Sequence, residues 1–396
     1  MPSATTPFVS PSVSPAALEL AQALVRIDTQ SHHSNLDVID LVREHLRKAG
    51  VECRLTFNEE RTKANLFATL GEGKPAGVIL SGHTDTVPWD GQDWKFDPLG
   101  GEIDGGRLYG RGSADMKSFI AIAVTHAQTF LGGKSPFAIH LALSYDEEVG
   151  AFGVRHLIAD MKDAGIRPIA CIVGEPTNMV PAIAHKGVYR WRCCVRGKEA
   201  HSSLTPDSVN AIEMAARVVA KIREVAESLE KNEKRYEGFD VPFTTASVGQ
   251  FRGGIADNVV PRDAEFRYEF RDLPTADVHA LQRQVVEYAK SLEPGMKRVA
   301  PDAGFTFNTI CEVPSFLGSA QDDITRLAQR LAGESRTTEV AFGTEAGIFK
   351  SFGIRTVVCG PGSIAQAHQP DEYVTLEQLA RCEHFMRGLA DAGEIS

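Results

Sequence analysis

The chain has no excess of positive charge, no long apolar run and no paired-cysteine motif. Its 396 residues carry 42 Lys and Arg against 52 Asp and Glu, a formal net charge of −10. That balance argues against nucleic acid or an anionic membrane surface as the main partner. No apolar stretch approaches the ~18 residues that a membrane-spanning helix needs. The opening MPSATTPFVSPSVSP lacks the basic and apolar segments of a secretory signal peptide. It reads as a flexible leader over residues 1–15, ahead of a helix beginning near Pro15. The seven cysteines are odd in number and none forms Cys-x-x-Cys. Cys193 and Cys194 are adjacent on a predicted strand and point to opposite faces. This usage excludes a disulfide framework and fits a reducing, cytoplasmic compartment. No short repeat of the solenoid type is present. What remains, 43% hydrophobic and 24% charged, is the composition of an ordinary soluble globular protein. The length suffices for two domains.

Residues 16–50 read as helical, with Leu20, Leu24, Leu41 and Leu46 at apolar positions. Short apolar runs follow, each ending in turn residues: Gly77–Leu80, Phe137–Leu143 and Ala170–Val173. Helical patterns such as Met116–Leu131 separate them. Alternation of this kind implies an α/β domain with a mainly parallel sheet flanked by helices. After His185 the pattern changes. Residues 187–197 look like a strand with one wet face. Residues 208–229 read as an amphipathic helix with Ile212, Ala215, Val219, Ile222, Ala226 and Leu229 on its apolar face. Strands at 245–252 and 264–272, a helix at 276–292 and a strand near 304–313 complete the order β-α-β-β-α-β. That order is ferredoxin-like, and it predicts an inserted α+β domain over 186–316. A helix near 321–332, a strand at 355–359 and a helix at 376–390 return to the first domain, made of 1–185 and 317–396.

Five residues able to bind a divalent metal occur in five short motifs: His83, Asp115, Glu148, Glu175 and His368. The first four are separated by 32, 33 and 27 residues. A strand–helix–strand unit takes about 30 residues, so the four could recur along one edge of a parallel sheet, where open α/β sheets build their sites. Two imidazoles and three carboxylates suit one or two divalent ions, zinc above all. Asp85, two residues beyond His83, is placed to accept the second ring N–H and fix the tautomer. In Asp146-Glu147-Glu148, Glu148 could bind metal while Glu147 takes a proton from a metal-activated water.

Taken singly, each motif has an ordinary reading. His-x-Asp can be a polar loop, Asp115 a helix N-cap after two glycines, and the three acids a solvated turn. Their combination, in sheet order, is what points to a metal site. Eight of the twelve histidines, His32, His33, His45, His126, His140, His156, His279 and His384, have no partner motif, and His185 stands apart in His-Lys-Gly at the predicted domain junction.

The strings SGHTDTVP, LYGRGSADMK, DEE, GEPT, HKG, AHSS and GPGSIAQAHQPDEY, in that order, resemble the M20 family of metallo-aminoacylases and peptidases, within its deacylase branch. The likeness covers nearly the whole chain after about residue 15. It implies a zinc-aminopeptidase-like catalytic domain, with the inserted domain serving as lid and dimer interface of a homodimer. It implies two zinc or cobalt ions per subunit, one held by His83 and Glu175, the other by Glu148 and His368, with Asp115 bridging. Ions about 3.5–4 Å apart share a water that attacks an amide carbonyl. Glu147 would be the general base and then protonate the leaving amine. A cis peptide is expected at Asp115–Met116.

By the same resemblance His201 reaches the partner subunit's site and stabilises the oxyanion. Asn258 and Arg271 match positions that hold a substrate carboxylate, a task that suits arginine. Glu345 in Gly-Thr-Glu-Ala would suit a substrate with a positive amine; a solvated loop acid is the alternative. The implied activity is hydrolysis of N2-acetyl-L-ornithine to ornithine and acetate, a step of arginine synthesis. Succinyl-diaminopimelate, acetylcitrulline and dipeptides are the other substrates to weigh. A non-catalytic metal-binding regulator is the other class, against which the presence of Glu147 argues.

Overall fold

The computed structural model describes residues 12–394 except 72 and 75; most of the expected leader lies outside these. The chain divides into two compact units. The described residues up to Ile183, with Leu317–Thr338 and those from Thr344 onward, form the first; Ala184–Phe316 and Glu339–Gly343 form the second.

The first unit is α/β. Strands β1 (Cys53–Phe57), β2 (Ala64–Leu70) and β3 (Gly77–His83) come before a small antiparallel ribbon, β4 (Glu102–Asp104) and β5 (Arg107–Tyr109). Next are β6 (Ala138–Ser144), β7 (Ala170–Pro176) and the short β8 (Ala182–His185). The second unit supplies β9 to β12. The chain then adds β13 (Phe316–Leu317), β14 (Thr338–Val340), β15 (Arg355–Gly360) and β16 (Tyr373–Thr375). Six strands of the central sheet lie in the order β1-β2-β6-β3-β7-β15. β6, β3, β7 and β15 are parallel, with Leu80 beside both Leu141 and Ile172, and Ile172 beside Val357. β1 and β2 add an antiparallel edge that the sequence reading lacked. Every residue of β3, β6 and β7 is buried. That is why their sequences run apolar without alternation. Each fully buried Leu, Ile or Val here contributes about 1.5–3 kcal/mol.

Two predicted helices are broken. The stretch 16–50 forms Pro15–Val25 and Leu36–Lys48, with a non-helical link. Polar side chains of the link bond to other segments instead of continuing the helix. Thr29 Oγ1 donates to the Thr84 carbonyl at 2.7 Å, and the Asn35 amide donates to the Ala64 carbonyl at 2.8 Å. The stretch 116–131 begins with a distorted turn, Ser113–Lys117, and then forms helices Ser118–Thr125 and Ala127–Gly132. Asp115 and Met116 are non-helical and the bond between them is cis, as the resemblance implies.

The second unit contains β9 (Val188–Arg196), helix Ala211–Asn232, β10 (Thr245–Gly253), β11 (Asp263–Arg271), helix Val278–Lys297 and β12 (Gly304–Val313). Its four strands are antiparallel in the order β10-β11-β9-β12, the arrangement of a ferredoxin-like sandwich. Tyr189, Trp191, Cys193 and Val195 face the helices and Cys194 does not. The buried face of Ala211–Asn232 is Ala211, Ala215, Val218, Ile222 and Val225. This is one residue off the expected stripe. Val219, Ala226 and Leu229 lie at its margin, half-buried, because the apolar arc is wider than the contact it makes.

Candidate metal centre and active site

All four parallel strands deliver chemistry at their carboxyl ends. His83 is the last residue of β3 and lies beside Ser144, the last of β6. Glu147 and Glu148 follow β6 at once. Glu175 is the penultimate residue of β7. After β15 the chain turns through Gly362, at φ 87°, and reaches His368, itself left-handed at φ 63°. Asp115 enters from the turn after β5.

These five side chains form two triads that share one member. His83, Asp115 and Glu175 make the first, and Asp115, Glu148 and His368 the second; within each, one ligand atom per residue lies within 4.8 Å of the others. His83 Nε2 is 2.9 Å from Asp115 Oδ1 and 3.7 Å from Glu175 Oε1. His368 Nε2 is 3.4 Å from Asp115 Oδ2 and 3.1 Å from Glu148 Oε1. Asp115 thus turns one oxygen to each group.

The donor set fits divalent cations. Ligand atoms on a tetrahedral zinc with ~2.1 Å bonds stand about 3.4 Å apart, close to the separations here. The protonation pattern agrees. His83 Nδ1 lies 2.9 Å from the Asp85 carbonyl oxygen, which can only accept, so Nδ1 carries the proton. A neutral ring then turns its Nε2 lone pair toward the oxygens of Asp115 and Glu175, which calls for a proton or a cation between them. Burial disfavours charge on His83, but the bond to Asp115 and the field of Asp115, Glu175 and Glu147 win and raise its proton affinity well above normal. For His368 the same contest, with Asp115 and Glu148 as partners, ends at about 10. Burial raises the carboxyls of Glu147, Glu148 and Glu175, and their acidic neighbours add to it. Asp115 is held low against burial by its bonds to His368 and His83. Ionised, Asp115, Glu147, Glu148 and Glu175 carry four negative charges, which two divalent cations balance.

The surrounding side chains sort the remaining acids. Asp85 does not take the ring proton of His83 through its carboxylate, whose nearest oxygen is 3.7 Å away. Its carbonyl does so, because the carboxylate is turned to the next loop. There it accepts the Ser31 hydroxyl at 2.7 Å and the main-chain N–H groups of Glu147 and Glu148 at 3.0 and 3.3 Å. Asp146 is left-handed at φ 56° and pairs with Lys63, which leaves Glu147 and Glu148 as the inward pair. Glu345 is no solvated loop acid. It is 1% exposed and accepts the hydroxyls of Ser81, at 2.7 Å, and Ser144. Glu372 was quoted in the sequence motif without a role. Its Oε1 accepts the N–H groups of Ala114 and Asp115 at 3.0 and 3.2 Å, holding the shared ligand's turn. Only its place in the motif could have flagged it.

The other three expected site residues belong to the second unit. His201 is exposed, with Nδ1 2.8 Å from Ser203 Oγ. Its segment bridges to Val259, next to Asn258, whose carbonyl accepts the Ser202 N–H at 3.0 Å. Arg271, on β11, donates to Glu269 at 3.2 Å.

Comparison with known proteins gives a consistent picture. The model of the peptidase family M20/M25/M40 matches residues 79–392. An acetylornithine deacetylase of Myxococcus xanthus is 36% identical over 383 residues, covering 93% of this chain and 95% of that protein. Among solved structures, an M20 family metallo-carboxypeptidase from Sulfolobus solfataricus superposes with a TM-score of 0.74 at 16% identity, covering 94% of this chain and 99% of the other. A dinuclear metal-binding M20 peptidase of Bacillus subtilis gives 0.67 at 15% identity, covering 94% and 96%. The chain belongs to the peptidase family M20/M25/M40 and is a metallo-amidohydrolase.

Proposed function

We propose that this protein hydrolyses N2-acetyl-L-ornithine to ornithine and acetate, as a cytoplasmic, homodimeric enzyme of arginine synthesis that uses two zinc or cobalt ions. The observation that carries the metal chemistry is the sharing of Asp115 between two His-carboxylate triads, with Glu147 beside them. The substrate rests on the relatives named acetylornithine deacetylase, which match over most of the chain. His83 and Glu175 would hold one ion, Glu148 and His368 the other, and Asp115 would serve both. Divalent ions held there would supply Lewis acidity, lowering the pKa of a water and polarising a carbonyl oxygen.

The chain's own residues do the rest. Glu147 removes a proton from the attacking water and returns it to the leaving amine. Burial raises its proton affinity and His83 opposes the rise, while Glu148, Glu345 and Asp85 add to it. A carboxylate in that position can both take and give a proton. Asn258 and Arg271 bind the substrate carboxylate, and Glu345 favours a cationic side chain. His201 stabilises the oxyanion in the neighbouring subunit of a dimer assembled through residues 186–316. His201→Ala should cripple kcat while dimer and metal content stay normal; an unaffected rate would remove it from the site.

The deciding experiment compares acetylornithine, succinyl-diaminopimelate, acetylcitrulline and a dipeptide, using metal-stripped protein with zinc or cobalt restored. Metal-dependent turnover should favour acetylornithine by orders of magnitude in kcat/KM. Preference for another substrate would discard the pocket argument and keep the metal chemistry. No turnover of any, with metal bound, would favour a metal-binding regulator.

A further inference from the structure

Arg111 is one of the largest fully buried side chains among the described residues, 1% exposed, and the chemistry above makes no use of it. A buried guanidinium is costly unless its charge and donors are matched. Nη1 meets Glu372 Oε2 at 2.6 Å and Nη2 donates to Gln92 Oε1 at 2.7 Å. Its face lies over the Trp94 ring, 5.1 Å from the centroid. The Gln92 amide in turn donates to the main-chain carbonyl of His368 at 3.0 Å. Asp371 adds a second tie, accepting the N–H groups of Lys95 and Phe96 at 2.8 and 3.2 Å. Segment 92–96 is thereby fastened to the turn that carries His368.

The two triads differ in what supports them. His83 and Glu175 sit in strands whose every residue is buried, so the sheet fixes them. His368 sits in no strand or helix, is left-handed, and has a side chain 44% exposed. Its turn is supported by the Arg111–Gln92 relay and by the Asp371 tie. We infer that Gln92, held in place by Arg111, is a positioning residue for the pocket of Glu148 and His368, and that it sets that pocket's metal affinity separately from that of the His83 and Glu175 pocket.

This rests on the two-ion reading, and metal binding can be read apart from turnover. The test is titration of the metal-stripped protein with cobalt alone, followed by calorimetry and by visible absorption. His368→Ala identifies the absorption that belongs to the second pocket. Gln92→Met removes the relay while Arg111 keeps its pair with Glu372, at the loss of the bonds that Gln92, half-buried, accepts from Arg111 and Trp94. It should weaken the His368-dependent cobalt by about 10-fold or more, the usual effect of losing such a support, and leave the other constant within about twofold. Equal weakening of both ions, no change in either, or a wild-type chain that binds one cobalt would each overturn the inference. Two cobalt ions bound without hydrolysis of any substrate would sink the proposed function and leave the relay standing.

Discussion

Replacing Asp85 with asparagine separates two ways in which this residue could act. In the structure its carboxylate ends three contacts, from the Ser31 hydroxyl and the main-chain N–H groups of Glu147 and Glu148. An asparagine keeps the shape, removes the charge, and sets an NH2 group against at least one of those donors. Hydrogen bonds to a charged acceptor contribute about 1.5–3 kcal/mol each. The two main-chain contacts are only partly buried, so the expected loss is about 2–4 kcal/mol rather than the full sum. For a protein of this size that lowers Tm by roughly 2–5 °C. The larger effect falls on chemistry, since a misplacement of Glu147 by about 1 Å can cost about 100-fold in kcat. The assay pairs steady-state kinetics with cobalt titration. The expected result is a kcat loss near that size, with the first cobalt constant within about twofold of wild type. If the first cobalt instead weakens about tenfold and the kcat loss tracks it, Asp85 acts through the His83 ring and the loop argument fails.

Three further outcomes follow from described contacts. Glu147→Gln should retain two metal ions by elemental analysis and lose about 10²–10⁴-fold in kcat; near-normal turnover would remove it as the base. Glu345→Gln should raise KM for acetylornithine but not for acetylcitrulline, whose side chain is neutral, and equal changes for both would end its role in choosing the substrate. Burial holds the His140 imidazole down at about 4, whereas the unfolded ring protonates near 6.5. The unfolded state therefore binds the extra proton between these values, so stability is complete above pH 6.5 and falls by roughly 3 kcal/mol on the way to pH 4. His140→Leu should flatten that stretch in urea melts at stepped pH; a slope equal to wild type would contradict it.

What the sequence disclosed was whatever lies at the end of an apolar run. His83 and Glu175 fall within strands that continue beyond their apolar cores, and their spacing by whole strand–helix units led to the sheet edge. Asp115 and His368 sit in turns without a periodic signal; Asp115 was flagged by its spacing from His83 and His368 by completing the ligand set, while their division into two ion sites was legible only through resemblance. The direction of the Asp85 carboxylate depends on a loop 62 residues away, which no local pattern reports. Arg111 passed unread for a similar reason, because its partners Gln92 and Glu372 are 19 and 261 residues distant. The antiparallel strands Cys53–Phe57 and Ala64–Leu70 were missed since each is short and interrupts its apolar residues with polar ones, Arg54 and Thr56 in the first, Asn65 and Thr69 in the second. The link at 26–35 escaped because its breaks are made by hydroxyl and amide side chains bonding elsewhere, not by glycine or proline.

The hold of Glu372 on the Asp115 turn reaches across 257 residues. A ribosome making this chain delivers His83, Asp115, Glu148 and Glu175 early, then the whole of the second unit, and only afterwards Glu372 and His368. Until that last stretch has emerged, the nascent protein holds a cluster of acids with neither the carboxylate that cradles Asp115 nor the second imidazole. The ligand set is therefore assembled only after the whole second unit has been made, when residues 368–372 join segments synthesised 220 or more residues earlier.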